Sequence, residues 1–243
     1  APSLQTFGVS TVTGAGLDTI RALGEHRTTV LLGRSGLGKS SLLRAGLFPL
    51  LREKGFVPIY VRLHLHAAAA PLSVQVRAFF EDELRANSIE YPEWPEDESL
   101  WQYLHRTDFE LWTTSNRLVR PVLVFDQFEE VFTLGRQMPA EIERFRTELA
   151  DLIENRVPAS LRQRLEGKGA KELGLDLQSM PCKLVLSLRE DFLADLETWR
   201  ASIPSLRRNR MRLLPMRAGN ALRAIHNEHT AHLVDEANAR EIV

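Results

Sequence analysis

Apolar residues along this chain fall into two kinds of run. Within residues 28–32, 122–125 and 183–188 they are nearly continuous, which reads as strands buried on both faces and so as a parallel sheet covered by helices. Within residues 56–65 they alternate instead. Val57, Ile59, Val61, Leu63 and Leu65 share one side, while Tyr60, Arg62, His64 and His66 share the other, predicting a strand with one wetter face. Residues 211–214 predict a fifth strand, stopped by Pro215. Between these runs, apolar positions recur at helical spacing and predict helices over residues 17–23, 39–54, 71–84, 100–111, 141–153 and 218–229. Pro49 interrupts the second of these, which predicts a kink or an early end near Phe48. Residues 156–179, rich in Arg, Lys, Gly and Glu, read as a mobile insertion, and residues 1–16 as a loosely held lead-in.

Composition narrows the classes. With 243 residues, 44% hydrophobic and 26% charged, the chain can bury a sizeable core, and its net charge of -1 gives no overall attraction to nucleic acid or a membrane. No apolar run approaches the length of a membrane span. A lone cysteine, Cys182, excludes an internal disulfide and points to a reducing, cytoplasmic compartment, with packing as its expected role. His64 and His66 have metal-ligand spacing on a strand but no third ligand nearby, so a solvated strand edge is the simpler reading. The chain opens at Ala1-Pro2 without a methionine and stops at Val243 inside an apolar-periodic segment, which suggests part of a longer protein.

The chemistry concentrates at strand ends. Gly33-Arg34-Ser35-Gly36-Leu37-Gly38-Lys39-Ser40 fits the phosphate-binding loop G-x-x-x-x-G-K-[ST], and it lies between a buried strand and a helix start, as that loop must. Backbone N–H groups from Gly36 to Ser41 can face a phosphate, helped by the helix dipole. Lys39 would reach the β and γ oxygens, and Ser40 would offer its hydroxyl to magnesium. A second strand ends in Val124-Phe125-Asp126-Gln127-Phe128-Glu129-Glu130, the form of a Walker B element. Asp126 would hold the magnesium opposite Ser40, and Glu129 or Glu130 would polarise the attacking water. A third ends at Arg189, which can either reach a γ-phosphate or form an ion pair with Glu190 or Asp191. Arg200, Arg207, Arg208, Arg210, Arg212 and Arg217 crowd one stretch, but with Trp199 as the only aromatic there, an interdomain face suits them better than a nucleic-acid groove.

Taken together, the loop at Gly33, the Asp126-Gln-Phe-Glu-Glu run, Leu186-Ser-Leu-Arg-Glu-Asp-Phe-Leu and Leu213-Leu-Pro-Met resemble the novel STAND NTPases. These are signal-transduction ATPases related to the NACHT and AP-ATPase groups within the wider AAA+-like class. The resemblance implies a P-loop NTPase αβα sandwich with a five-stranded parallel sheet, order 5-1-4-3-2, followed by a helical subdomain. On that basis residues 17–217 form the NTPase domain and residues 218–243 begin the helical and winged-helix region. It further implies ATP or ADP with Mg2+, an N-terminal effector, C-terminal sensing repeats, and self-association on activation, often in prokaryotic immunity. By position, Lys39 and Ser40 bind phosphate and magnesium, Asp126 is the Walker B acid, Glu129 is the favoured catalytic carboxylate, Arg189 is the sensor and Pro215 packs near the adenine. The family's Gly-Arg-Glu type element has no match here, where the region reads Thr13-Gly-Ala-Gly-Leu-Asp. A switch ATPase is the leading expectation, with a non-hydrolysing nucleotide-stabilised scaffold and a nucleic-acid motor or loader as alternatives.

Overall fold

A computed structural model describes residues 19, 21 and 23–214. The expected lead-in over residues 1–16, Pro215, Arg217 and the expected helical region over residues 218–243 lie outside the described residues.

The continuous apolar runs form the strands that the pattern predicts. They are β1 (Thr28–Gly33), β5 (Leu118–Phe125) and β6 (Lys183–Arg189), joined by β2 (Phe56–Val61) and β7 (Arg210–Arg212). All their pairings are parallel, in the order β7-β1-β6-β5-β2. Counted along the parallel strands alone, this is the expected order 5-1-4-3-2. Such a sheet must be covered on both faces, and it is. On one side Leu31, Val122, Val124 and Val185 meet the helix that follows the phosphate loop, through Leu42, Leu43, Leu47, Phe48 and Leu51. On the other, Val30, Leu32, Leu123, Phe125, Leu184 and Leu186 meet α3 (Leu72–Ala86) and α6 (Pro139–Glu154). The result is three layers around the sheet.

Pro49 does not end its helix, which instead changes its hydrogen-bonding pattern just before Phe48. The helix runs as α1 (Lys39–Ser41), a π-helical turn (Leu42–Leu47) and α2 (Phe48–Glu53), with Pro49 in the first turn of α2. The Phe48 N–H bonds to the Leu43 carbonyl, one residue further back than in an α-helix. That wider turn precedes the residue that has no N–H to give, so the chain absorbs the proline without stopping.

Three other expectations are corrected. The helix placed over residues 100–111 covers only Leu100–Leu104 (α4), and the chain then forms the antiparallel strand β4 (Leu111–Thr113). β4 joins β3 (Ile89–Glu90) to the start of β5, extending the sheet edge. Asn116, in a left-handed conformation at φ 56°, makes the tight turn between β4 and β5. The segment read as a mobile insertion is instead ordered around α7 (Ala159–Glu172), broken where Gly169 takes φ 77°. The strand drawn to residue 65 ends at Val61, although burial still alternates beyond it, with Leu63 and Leu65 inside and His64 and His66 exposed. Cys182 is fully buried, and burial pushes its thiol up to about 12, in keeping with a packing role.

Candidate functional site

The phosphate loop leaves β1 at Gly33 and returns at Lys39 as a helix start. Gly36 and Gly38 take φ 78° and 79°, a region that side-chain-bearing residues avoid, so the turn depends on them. Gly33 lies so close to Leu213 that an added Cβ would meet its Cβ at 3.2 Å. Lys39 reaches back across the loop, and its ammonium donates to the carbonyls of Gly33 (2.9 Å) and Arg34 (3.2 Å). Burial lowers its pKa, opposed by the charges of Glu129 and Asp126, then reinforced by Arg189. The loop end of β1 also lies beside the end of β6, where Gly33 pairs in register with Arg189.

Asp126 sits just beyond β5 and is 3% exposed. Its N–H donates to Val61 O at 2.9 Å, so β2 holds its backbone. Its carboxylate is held from both flanks: Tyr60 of β2 donates its hydroxyl to Oδ2 at 2.9 Å, and Ser187 of β6 donates to Oδ1 at 2.9 Å. Strand register explains the meeting. Val61 and Leu186 are both paired with Phe125, so the residues around them on either neighbour reach the level of Asp126. Burial and the Asp126 charge raise the pKa of Tyr60, which stays a donor. Neither Tyr60 nor Ser187 belongs to the phosphate-loop or Walker B motif in the sequence. The available signals were a tyrosine on the polar side of an alternating strand and one hydroxyl inside the apolar run Leu184–Leu188.

After Asp126 the chain turns sharply. Gln127 takes φ 54°, Phe128 donates its N–H to Ser187 O at 2.9 Å, and α5 (Glu130–Thr133) starts behind Glu129. The two candidate carboxylates are thereby separated. Glu129 accepts from the Arg189 N–H at 3.2 Å, at the end of β6 and within the field of Lys39. Glu130 points elsewhere and pairs with Arg62 at 3.4 Å.

Arg189 makes the ion pair that was its alternative role, with Asp191 at 2.5 Å, and its guanidinium carbon lies 5.6 Å from the centre of the Phe192 ring. Its Nε is buried without a hydrogen-bond acceptor among the described residues. Beside it, Glu190 bridges the phosphate loop and β7, accepting from Arg34 at 3.0 Å and Arg212 at 2.8 Å. Those two arginines hold its carboxyl below the usual range. Arg210 is likewise engaged, by Glu197 at 2.6 Å.

The donor set suits a nucleotide-bound divalent cation. Ser40 and Asp126 could supply hard oxygen ligands, and among the described residues no group of three or more His, Cys, Asp or Glu side chains could hold a metal alone. Phosphate oxygens would have to complete the coordination, and the adjacent loop is where they would lie.

A phosphate loop after β1, an acid after the neighbouring but one strand and an arginine after the strand between them define a P-loop NTPase. Within that class, the chain belongs to the family described as Novel STAND NTPase 1, whose model matches residues 15–239. None of the functionally curated proteins matches the sequence. Solved structures give the same fold. The Walker-type ATPase of Pyrococcus abyssi is 16% identical with a TM-score of 0.56, covering 99% of this chain and 65% of its own. The ADP form of the Aeropyrum pernix ORC2 protein is 14% identical with a TM-score of 0.53, covering 99% and 62%. Cdc6p from Pyrobaculum aerophilum is 15% identical with a TM-score of 0.52, covering 100% and 52%. This chain thus spans roughly half to two thirds of the length of each. No helix among the described residues is long and apolar enough to cross a membrane.

Proposed function

We propose that this chain is the ATP-binding and slowly hydrolysing switch module of a larger cytoplasmic signalling or defence protein, in which nucleotide state gates self-association and effector activation. The observation that carries the reading is the arrangement at the strand ends: Gly33 of the phosphate loop pairs in register with Arg189, Arg189 donates its N–H to Glu129 at 3.2 Å, and Ser187 of the same strand holds Asp126 at 2.9 Å. Lys39 would exchange the two loop carbonyls for the β and γ oxygens, a stronger, charge-assisted partnership. Magnesium bound with the nucleotide neutralises charge on the phosphates, and Ser40 and Asp126 are the residues to hold it. Glu129 is the base for the attacking water, since it lies against the Arg189 N–H at the end of β6, whereas Glu130 faces Arg62. Arg189 would leave Asp191 for the γ-phosphate. That exposed pair is weak, so the exchange costs little, and a ligand moves an equilibrium only by its difference in affinity for the two states.

The N-terminal effector, the C-terminal sensor and the contact of Pro215 with adenine rest on the family resemblance. A nucleic-acid motor is the weaker reading, because Arg210 and Arg212 of the basic stretch are already paired. The non-hydrolysing scaffold differs from the switch in turnover alone.

Three variants test the assignment in the full chain. Lys39→Ala should abolish ATP binding by calorimetry, and an unchanged affinity would end the nucleotide reading. Glu129→Gln should retain binding while turnover falls by about a hundredfold or more, as loss of a general base does. If Glu130→Gln does this instead, the base is Glu130.

A further inference from the structure

We infer that Tyr60 is a positioning residue which, with Ser187, presents the Asp126 carboxylate to a divalent cation and couples that carboxylate to the phosphate-loop helix. The inference rests on the nucleotide reading above and adds a residue to it.

Asp126 is almost wholly buried, and its two hydrogen-bond partners are neutral hydroxyls on opposite flanks of β5. Each occupies one oxygen, so rotation of the carboxylate would break a bond on either side. An ionised carboxylate has about four lone-pair sites, so one bond per oxygen leaves sites free for a metal or its water. Neutral donors also add no positive charge of their own to offset the carboxylate. A lysine or arginine in either place would fix the group equally well and offset the attraction it is there to exert.

Tyr60 does more than Ser187 because its ring reaches a second element. The Arg44 guanidinium carbon lies 4.3 Å from the ring centre, and Phe48 packs edge-on at 6.1 Å and 69°. Arg44 belongs to the π-helical turn, and Phe48 follows it. The helix that starts at Lys39 therefore grips one end of Tyr60, and Asp126 the other. Ser40, in the first turn of that helix, and Asp126, after β5, are the two protein groups that must share one cation. Tyr60 is the single side chain among the described residues seen bridging their two elements by ring contact and hydrogen bond. An apolar residue would fill the same space against Phe48, so the hydroxyl is the part that the packing does not explain.

The test uses the full chain and separates metal from nucleotide. A fluorescent ATP analogue is titrated in EDTA and in increasing Mg2+, for wild type, Tyr60→Phe, Ser187→Ala and Ser187→Thr. Tyr60→Phe keeps the ring and removes the donor. Its affinity in EDTA should match wild type, while its half-saturating Mg2+ rises about ten- to a hundredfold, the usual effect of removing a partner that orients a metal ligand. Ser187→Ala should shift it in the same direction, and Ser187→Thr, which restores a hydroxyl, should shift it back. An unchanged Mg2+ midpoint in a folded Tyr60→Phe protein overturns the inference. So does an equal loss of affinity with and without Mg2+, which is what a purely structural role predicts. If wild type itself binds no nucleotide under either condition, the nucleotide reading is what has failed.

Discussion

The carboxylate after β5 and the charged residues after β6 sit side by side, yet they are held by different physics. Asp126 is buried and fixed by two hydroxyls from flanking strands, with its backbone tied to Val61. Arg189, Glu190 and Arg34 are held by ion pairs at the surface, with Arg34 71% exposed. Buried polar bonds are costly to break because the abandoned groups stay dry, whereas exposed pairs exchange for water or another charge at little loss. One group is built to stay in place. The other can change partner when a phosphate arrives.

The sharpest way to break this contrast is to remove one group from each side and compare stability. Asp126→Ala should abolish the Mg2+ dependence of nucleotide binding and leave Ser187 and Tyr60 without their acceptor. The stranded hydroxyl of the buried Ser187 costs about 1–3 kcal/mol, and that of the half-buried Tyr60 less. A clear fall in Tm by calorimetry is therefore expected, and an unchanged Tm would mean that Asp126 is not structurally held.

The two sides also differed in how far the sequence exposed them. The parallel strands were legible because their apolar runs report burial on both faces, and the loop at Gly33 because its glycines and lysine must occupy fixed places. Asp126 was legible as a strand-end acid. Its clamp was not, because Tyr60 and Ser187 lie 66 and 61 residues away and meet it only through register. The choice between Glu129 and Glu130 is likewise spatial, made by the turn at Gln127. Local pattern failed elsewhere for the same reason. Residues 105–111 have helical spacing, yet Leu111 and Trp112 pair with Val119 and Leu118, and a cross-strand partner outweighs a weak helical tail. In residues 156–179 charge and glycine suggested disorder, but Leu161 and Leu175 are buried and anchor the segment to the core.

The smallest effect, and the finest test of the contrast, concerns Glu190. Its two arginine partners lie at the surface, so Glu190→Gln should leave Tm unchanged, in contrast to Asp126→Ala. What should change is the loop. Arg34 occupies a variable position of the phosphate-binding run, and the Glu190 carboxylate draws its guanidinium toward β7. Without that charge, Arg34 is free to approach an anion bound in the loop, so ATP affinity should rise by about two- to threefold, the scale of one exposed charge interaction. The gain should fade between about 50 mM and 500 mM salt, because exposed charges are screened over a Debye length that shortens across that range. Affinity that falls on Glu190→Gln, or a gain indifferent to salt, would mean that Glu190 holds the loop in its binding shape, and the residues after β6 would then belong with the fixed side of the site.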